Sequence, residues 1–214
     1  MVGITDEKVE RYLEYLMPIK DPLLEELQKQ GFEAEVPIIQ VPSLRLIQLF
    51  LHMTKPKTII EVGTAIAFST IWLAKSLPDV KVHSIERNAL MLEKARENIE
   101  KSGLSDQIIL HEGDAVKILP TLPEAEFIFI DAAKAKYQKF LHLAFPLLKV
   151  GGIMIFDNIL FRGYVADEEI IRTKPMLKKI RKFNDFLVSF PRLETTFVPI
   201  GDGLAICHKT EESL

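Results

Sequence analysis

The sequence predicts an α/β protein with a mostly parallel sheet, helices on both faces and an antiparallel hairpin at the carboxyl end. From Lys57 onward, short apolar runs alternate with helical segments, which is the pattern of a parallel sheet. Later in the chain, Gly201-Asp202-Gly203 joins two further apolar runs, as in a hairpin. The length of 214 residues suits one domain over 1–214, in which 1–35 is a helical extension.

Three helices are predicted ahead of the sheet. Apolar residues at helical spacing predict the first over 6–17, and Asp21-Pro22 opens a second that Gly31 is expected to end. Ser43 is expected to cap a third helix that runs through Leu51. Because these helices precede the first sheet strand, we expect them to pack outside the sheet or on a partner chain.

The alternation then places the remaining elements. Parallel strands are predicted at 59–62, 80–85, 107–111, 127–130 and 152–156, and the hairpin strands at 195–199 and 204–208. Helices are predicted over 69–76, 89–101, 138–148 and 172–188. Together these make a seven-stranded sheet in which the last pair reverses direction.

Composition narrows the class of protein. The formal net charge is −3, so the sequence shows no global attraction to nucleic acid, although a local basic face is compatible with it. Cys207 is the single cysteine and stands in an apolar run, which favours a buried small residue over a nucleophile. There is no signal-peptide pattern and no apolar run of membrane-spanning length. We therefore expect a cytoplasmic protein without a membrane partner.

Acidic residues end four of the predicted parallel strands: Glu61, Glu86, Asp131 and Asp157. The carboxyl ends of parallel strands meet at one sheet edge, where α/β proteins bind ligands. Glu86 stands where a nucleoside ribose would present its hydroxyls, and Asp114-Ala115 follows the third strand, where an adenine would be held. At each position, a helix cap or a solvated strand end is the alternative.

A metal site is predicted from Asp131, Asp157 and Asn158. Two carboxylates and an amide oxygen are hard ligands that suit Mg²⁺, and they come from adjacent strand ends. His83 and His111 lie inside predicted strands and neither has metal spacing to another histidine, cysteine or acid, so we interpret both as structural.

The turn after the first strand is neither a dinucleotide fingerprint nor a phosphate loop. The first would need glycine at Ala65 and Phe68, and the second needs a Gly-Lys-Ser/Thr that is missing. Instead, Glu61-Val62-Gly63-Thr64 and the following Ser69 resemble motif I of S-adenosylmethionine-dependent methyltransferases, with Ala67 in place of the second glycine.

Two later blocks make the resemblance specific. Asp131-Ala-Ala-Lys134-Ala-Lys-Tyr137 and Gly151-Gly-Ile-Met-Ile-Phe-Asp157-Asn158 resemble the metal-dependent class I O-methyltransferases of the catechol and caffeoyl-CoA type. The likeness runs from about residue 39 to 207 and is closest to the bacterial tRNA 5-hydroxyuridine methyltransferases. It implies the class I methyltransferase (Rossmann-like) fold, with S-adenosylmethionine and Mg²⁺ as cofactors.

The resemblance also implies residue roles. The metal ligands are Asp131, Asp157 and Asn158, and the catalytic residues are Lys134, as general base, and Asp131. Residues matching cofactor-contacting positions are Ile39, Glu61, Gly63, Ser69, Glu86, Ala115 and Asp131, to which the strand-end argument adds Asp114. Two alternatives stay open for the base: Lys134 is a solvated lysine beside Lys136, or the metal ionises the hydroxyl unaided.

The substrate has two main alternatives. Methyl transfer with a chelating metal needs vicinal oxygens, which a catechol and 5-hydroxyuridine both carry, so the site residues do not choose between them. RNA is favoured by aromatic and basic residues after the metal ligands, namely Phe161, Arg162 and Tyr164, and by a basic run, namely Arg172, Lys174, Lys178, Lys179, Arg181 and Lys182.

The first hypothesis is therefore methylation of 5-hydroxyuridine in the anticodon loop of tRNA, at the wobble position, to give 5-methoxyuridine. The alternative is a small-molecule catechol or caffeoyl-CoA-type O-methyltransferase. A non-catalytic RNA-binding module on the same scaffold is a third hypothesis. The resemblance and the N-terminal helices suggest a homodimer. The sequence leaves open the choice of Mn²⁺ or Mg²⁺.

Overall fold

A seven-stranded sheet forms the centre of the molecule. The computed structural model describes residues 4–211. The strands are β1 (Thr58–Val62), β2 (Lys81–Glu86), β3 (Ile108–Glu112), β4 (Ala125–Ile130), β5 (Leu148–Phe156), β6 (Leu193–Val198) and β7 (Leu204–Lys209). Their spatial order is β3-β2-β1-β4-β5-β7-β6. The first five strands are parallel, and β7 runs antiparallel to both β5 and β6, as the sequence predicts.

Helices cover both faces of the sheet. They are α1 (Glu7–Leu16), α2 (Pro22–Glu33), α3 (Val41–Thr54), α4 (Phe68–Lys75), α5 (Ala89–Ser102), α6 (Ala115–Ile118), α7 (Tyr137–Ala144), α8 (Glu168–Thr173) and α9 (Pro175–Val188). The first five lie N-terminal to β3, and α2 to α5 bury apolar residues against one face. The opposite face is covered by α7 and α9. No helix in residues 4–211 is long and apolar enough to cross a membrane.

The apolar strands follow from burial on both faces. Along β4, Phe127 and Phe129 face the core beneath α2 to α5, whereas Ile128 and Ile130 face the core beneath α7 and α9. All four side chains are inaccessible to solvent. Burying one such side chain stabilises the fold by about 2 kcal/mol, so a central strand favours an unbroken apolar run over alternation.

Two predicted helix boundaries near the N-terminus are wrong. Helix α2 continues past Gly31, because the glycine packs there against Ile38, and a Cβ at Gly31 would lie 2.8 Å from Ile38 Cδ1. Helix α3 begins at Val41, with Gln40 as its cap residue, so Ser43 lies inside the helix and its hydroxyl is buried there. The first helix agrees with the prediction to within one residue at each end, and Asp6 is its N-cap residue.

Two later helices also differ from the prediction. The helix predicted over 172–188 is divided into α8 and α9 at Lys174, since a residue before proline is disfavoured in the helical conformation. The helix predicted over 138–148 ends at Ala144, and Leu148 already belongs to β5. Helix α6 is too short to leave a periodic pattern, and the sequence does not predict it.

Candidate active site

A cavity of about 670 Å³ opens at the carboxyl ends of the parallel strands. This volume is in the range of small-molecule sites. Its β2 side is lined by Ala65, Ser69, Glu86, Asp114 and Ala115, and its β5 side by Asn158, Arg162, Tyr164, Lys174 and Asp202. Gly63, Asp131 and Lys134 lie on the wall as well, and Ile39 comes from the segment before α3. The topology therefore brings nearly every predicted site residue to one cavity.

Gly63 sets the shape of the wall at the end of β1. Its amide donates to the carbonyl of Ile85 at 3.0 Å, and its φ of +109° lies in the region that favours glycine. A Cβ there would overlap the carbonyl oxygen of Asp131. The glycine thus allows β1 and β4 to approach closely where the cavity begins.

Ala67, which replaces the second glycine of motif I, does not obstruct the cavity. It adopts a left-handed conformation with φ of +68° and its methyl group is buried in the core beneath α2 to α5. Ala65 and Phe68 line the cavity on either side of it. The alanine therefore retains the glycine-like backbone at some conformational cost, while its side chain points into the core.

Glu61 is buried below this turn rather than exposed in the cavity. Its carboxylate accepts hydrogen bonds from Ser69 Oγ and Ser84 Oγ, both at 2.6 Å, and from the hydroxyl of Thr70. Burial raises the pKa of Glu61 to about 7, and the charge of Asp131 adds to this, while the three hydroxyls oppose it. Glu61 is not one of the described lining residues, so a direct cofactor contact stays a prediction.

Two carboxylates line the β2 side. Glu86 Oε1 accepts the backbone N–H groups of Arg87 and Asn88 at 2.8 Å, and Oε2 accepts that of Ala65 at 3.0 Å. This fixes the carboxylate at the end of β2. Asp114 caps α6 through the N–H of Val116, and this hydrogen bond is the first cause of its lowered pKa. The position of each is compatible with the predicted ribose and adenine contacts.

Lys136 forms an ion pair with Asp114 that the sequence does not predict. Its Nζ lies 3.1 Å from Asp114 Oδ2, which joins the segment after β4 to the loop after β3. The two residues are 22 positions apart, so no local motif marks the pair. Both side chains are about a third exposed at the cavity wall, and such an ion pair contributes little to stability.

The three predicted metal ligands come together at the ends of β4 and β5. Asp131, Asp157 and Asn158 all line the cavity. Lys134 Nζ donates to Asp131 Oδ1 at 2.8 Å, and both side chains are mostly buried. Asn158 has a φ of +56°, a left-handed conformation that asparagine tolerates better than most residues.

Asp157 is held in an unfavourable environment for a charge. Burial raises its pKa well above the usual range, and the neighbouring Asp131 raises it further, while Lys134 partly opposes the effect. The carboxylate accepts the backbone N–H of Asn158 at 2.7 Å, and the buried Tyr137 hydroxyl donates to the Asp157 carbonyl at 2.9 Å. Tyr137, the last residue of the first motif block, thus anchors the end of β5.

This arrangement fits a divalent cation. Two close carboxylates repel each other in a buried site, and a cation between them would relieve that repulsion. The donor set is two carboxylates and an amide, whose oxygens suit Mg²⁺ or Mn²⁺. Among residues 4–211, no group of three histidine, cysteine or acidic residues is arranged to hold a metal, so the amide of Asn158 is needed to complete the set.

His83 and His111 contact each other, which their positions in the sequence do not predict. Their strands pair, the rings stack with centroids 5.3 Å apart, and His83 Nδ1 lies 3.0 Å from His111 Nε2. Burial lowers the pKa of both imidazoles. They hydrogen-bond to one another away from the cavity, in keeping with the structural role predicted for them.

Comparison with known proteins agrees with this fold. A sequence model of the O-methyltransferase family matches residues 16–210. A catechol O-methyltransferase of Niastella koreensis is 32% identical over 213 residues, covering 94% of this chain and 96% of the relative. A proposed caffeoyl-CoA O-methyltransferase from Staphylococcus aureus superposes with a TM-score of 0.90 at 35% identity, covering 95% of this chain and 100% of that one.

A third relative adds a bound molecule. The O-methyltransferase from Bacillus cereus, solved in complex with SAH, superposes with a TM-score of 0.83 at 27% identity. The superposition covers 94% of this chain and 97% of the Bacillus cereus chain. The fold class predicted from the sequence, that of the class I methyltransferases, is thereby confirmed. More specifically, the chain belongs to the O-methyltransferase family.

Proposed function

We propose that the protein transfers a methyl group from S-adenosylmethionine to one oxygen of a substrate with two vicinal oxygens, and that a divalent cation bound by Asp131, Asp157 and Asn158 assists. The observation that carries the proposal is the convergence of these three side chains with Lys134 in one cavity. The cofactor is assigned to the β2 side, where Glu86 and Asp114 offer acceptors for a nucleoside. The acceptor is assigned to the β5 side.

The residues around the transfer point have separate tasks. Asp131 orients Lys134 through the 2.8 Å hydrogen bond, which keeps the Nζ atom at the cavity wall. A divalent cation held by Asp131, Asp157 and Asn158 would lower the pKa of the substrate hydroxyl. Lys134 Nζ then accepts the hydroxyl proton. To act as the general base, Lys134 must present a neutral Nζ to the hydroxyl.

The relatives favour a small catechol-type acceptor. The Niastella koreensis protein is named for catechol, and the Staphylococcus aureus one for caffeoyl-CoA. We therefore place a catechol first among the candidate acceptors and 5-hydroxyuridine of tRNA second. This order reverses that of the sequence-based hypotheses, in which the site residues could not decide.

One observation keeps the tRNA substrate as the second candidate. Lys174 lines the β5 side of the cavity, with its Nζ 5.1 Å from the centroid of the Tyr164 ring, and Arg162 lies nearby on the same wall. Lys178, Lys179 and Lys182 continue this basic surface along the exposed side of α9, whereas Arg181 is paired with Glu168. Phosphates beside the acceptor base would meet these cations.

The test is methyl transfer from labelled S-adenosylmethionine to a simple catechol and to hypomodified tRNA, each with and without EDTA. We expect label in the catechol that EDTA abolishes. Label in tRNA alone would support the second candidate and keep the metal role. Transfer that is insensitive to EDTA would contradict the metal assignment, and RNA binding with no transfer to either acceptor would favour the non-catalytic module. The homodimer stays a prediction.

A further inference from the structure

Asp202, in the turn between β6 and β7, contacts the predicted metal ligand Asn158 across the cavity wall. We propose that Asp202 is a positioning residue that orients the Asn158 carboxamide toward the cation and holds the loop after β5 in place. The inference rests on the proposed function, because it requires the cation site. Neither the motif blocks nor the family resemblance assigns a role to this residue.

The contact with Asn158 is directional. Asn158 Nδ2 donates to Asp202 Oδ2 at 3.2 Å. A carboxylate can only accept a hydrogen bond, so it selects the amide orientation in which nitrogen faces Asp202. The carbonyl oxygen of Asn158, the atom that a hard cation prefers, is then left on the other side. Without this contact, the two amide orientations become closer in energy.

Asp202 also holds the loop that follows Asn158. Its Oδ1 accepts the N–H of Arg162, and its backbone carbonyl accepts those of Leu160 and Phe161, all at 3.1 Å. In this loop Phe161 and Arg162 have φ values of +41° and +56°, which are unfavourable for residues with side chains. Such a conformation persists when surrounding contacts determine it. One aspartate therefore supports both a metal ligand and the β5 side of the cavity.

The turn itself fits tightly against the loop. Gly203 has a φ of +87°, and a Cβ there would lie 2.5 Å from Leu160 Cγ. The carbonyl of Gly203 accepts the N–H of Ile159 at 3.1 Å, beside the Asp202 contacts. This close packing places the Asp202 side chain within reach of Asn158 although 44 positions separate them in the chain.

The experiment measures Mn²⁺ binding to the full-length protein by electron paramagnetic resonance, for the wild type, Asp202→Asn, Asn158→Ala and the double variant. An asparagine at 202 keeps the size of the side chain but has one acceptor oxygen in place of two, so it cannot serve both Asn158 and Arg162. We expect Asp202→Asn to weaken Mn²⁺ binding about 10- to 100-fold, as supporting groups of metal ligands do. Binding of S-adenosylhomocysteine should stay within about twofold, since that ligand is assigned to the β2 side.

The double variant separates positioning from simple loss of charge. If Asp202 acts through Asn158, adding Asp202→Asn to Asn158→Ala produces no further loss of Mn²⁺ affinity. Equal losses in both backgrounds would mean that Asp202 acts by its charge or as a ligand itself, which overturns the proposal. Asp185→Asn, on the exposed side of α9, controls for removal of one negative charge.

Wild-type affinity in a folded Asp202→Asn protein would refute the inference and leave the proposed function intact. Failure of the wild type to bind Mn²⁺ would instead overturn the proposed metal role, and the inference with it. If Asp202→Asn does not fold, as judged by circular dichroism, Asp202→Ala is used in the same cycle, because the backbone contacts to Leu160 and Phe161 do not depend on the side chain.

Discussion

The two sides of the cavity are built in different ways. On the β2 side, short turns between strands and helices hold the wall, and backbone N–H groups tie down Glu86. On the β5 side, a longer loop forms the wall and depends on contacts from the distant β6–β7 turn. Lysine and arginine side chains lie at the mouth of this second side.

This difference matches the two tasks in the proposed reaction, in which the β2 side binds the cofactor and the β5 side binds the acceptor. A side that binds one constant cofactor benefits from a rigid backbone geometry that tolerates little change. A side that selects an acceptor can vary through a loop and its exposed charges, because the supporting sheet stays the same. We therefore expect substitutions on the β2 side and at the end of β1 to change stability or cofactor binding strongly. Substitutions on the β5 side should change activity less, and by an amount that depends on the substrate.

The largest expected effect comes from Gly63→Ala. A Cβ at this position would overlap the Asp131 carbonyl oxygen, in a backbone conformation that already disfavours alanine. We expect the free energy of unfolding to fall by at least about 3 kcal/mol and S-adenosylhomocysteine binding to be lost. Chemical denaturation and calorimetric titration measure the two effects.

Gly103→Ala is the matched control for this change. Gly103 also has a positive φ, of +69°, but a Cβ there meets nothing within 4 Å. Its replacement should cost only about 1 kcal/mol, the conformational part of the effect, and spare ligand binding. Similar losses in both variants would show that the close approach of β1 and β4 is unimportant.

Glu61→Gln should change the pH dependence of stability. Glu61 has a pKa of about 7 in the folded chain and 4.5 as its ordinary value. Between pH 4.5 and about pH 7 the Glu61 carboxyl is protonated in the folded protein but ionised in the unfolded chain. The free energy of unfolding therefore falls as the pH rises through this range. One pKa unit corresponds to about 1.4 kcal/mol, so the full loss above pH 7 is about 3 kcal/mol.

Urea denaturation of the wild type and Glu61→Gln at about pH 5 and about pH 8 tests this pH dependence of stability. Because glutamine does not titrate, we expect the stability of Glu61→Gln relative to wild type to rise by about 2 to 3 kcal/mol between the two conditions. Glu97→Gln, on the exposed surface of α5, should show no such change. Parallel pH profiles for wild type and Glu61→Gln would mean that the buried carboxyl has an ordinary pKa.

The sequence predicts the sheet and the carboxylates at its edge for a physical reason. Strands buried on both faces leave apolar runs, and parallel topology brings their ends together, so the sequence alone places Asp131 and Asp157 at the same sheet edge. Two helix ends were predicted wrongly for different reasons. Gly31 packs against Ile38, a contact that the pattern does not encode, whereas the break before Pro175 is a local effect that the sequence does carry.

Contacts between distant loops could not be predicted. The Lys136–Asp114 pair and the Asp202–Asn158 pair join residues 22 and 44 positions apart, and their side chains are ordinary surface types. The sequence marks Asp202 only as part of a glycine-flanked turn. The position of that turn against the loop after β5 depends on how the hairpin packs, which is a property of the whole fold.

The smallest expected effect is on the β5 side, from Lys174→Glu. Lys174 is exposed at the cavity wall and its charge is available to an anionic acceptor. We expect KM for an anionic acceptor such as tRNA or a coenzyme A thioester to rise about tenfold at low salt, less at high salt, with kcat and the KM for a neutral catechol nearly unchanged.

Steady-state kinetics at two ionic strengths measure this change in KM, and Lys101→Glu, at the end of α5, is the control for an equal change in net charge. An equal rise in KM for the neutral catechol would show that Lys174 shapes the acceptor site sterically, and the contrast between a rigid β2 side and an electrostatically tuned β5 side would then be wrong.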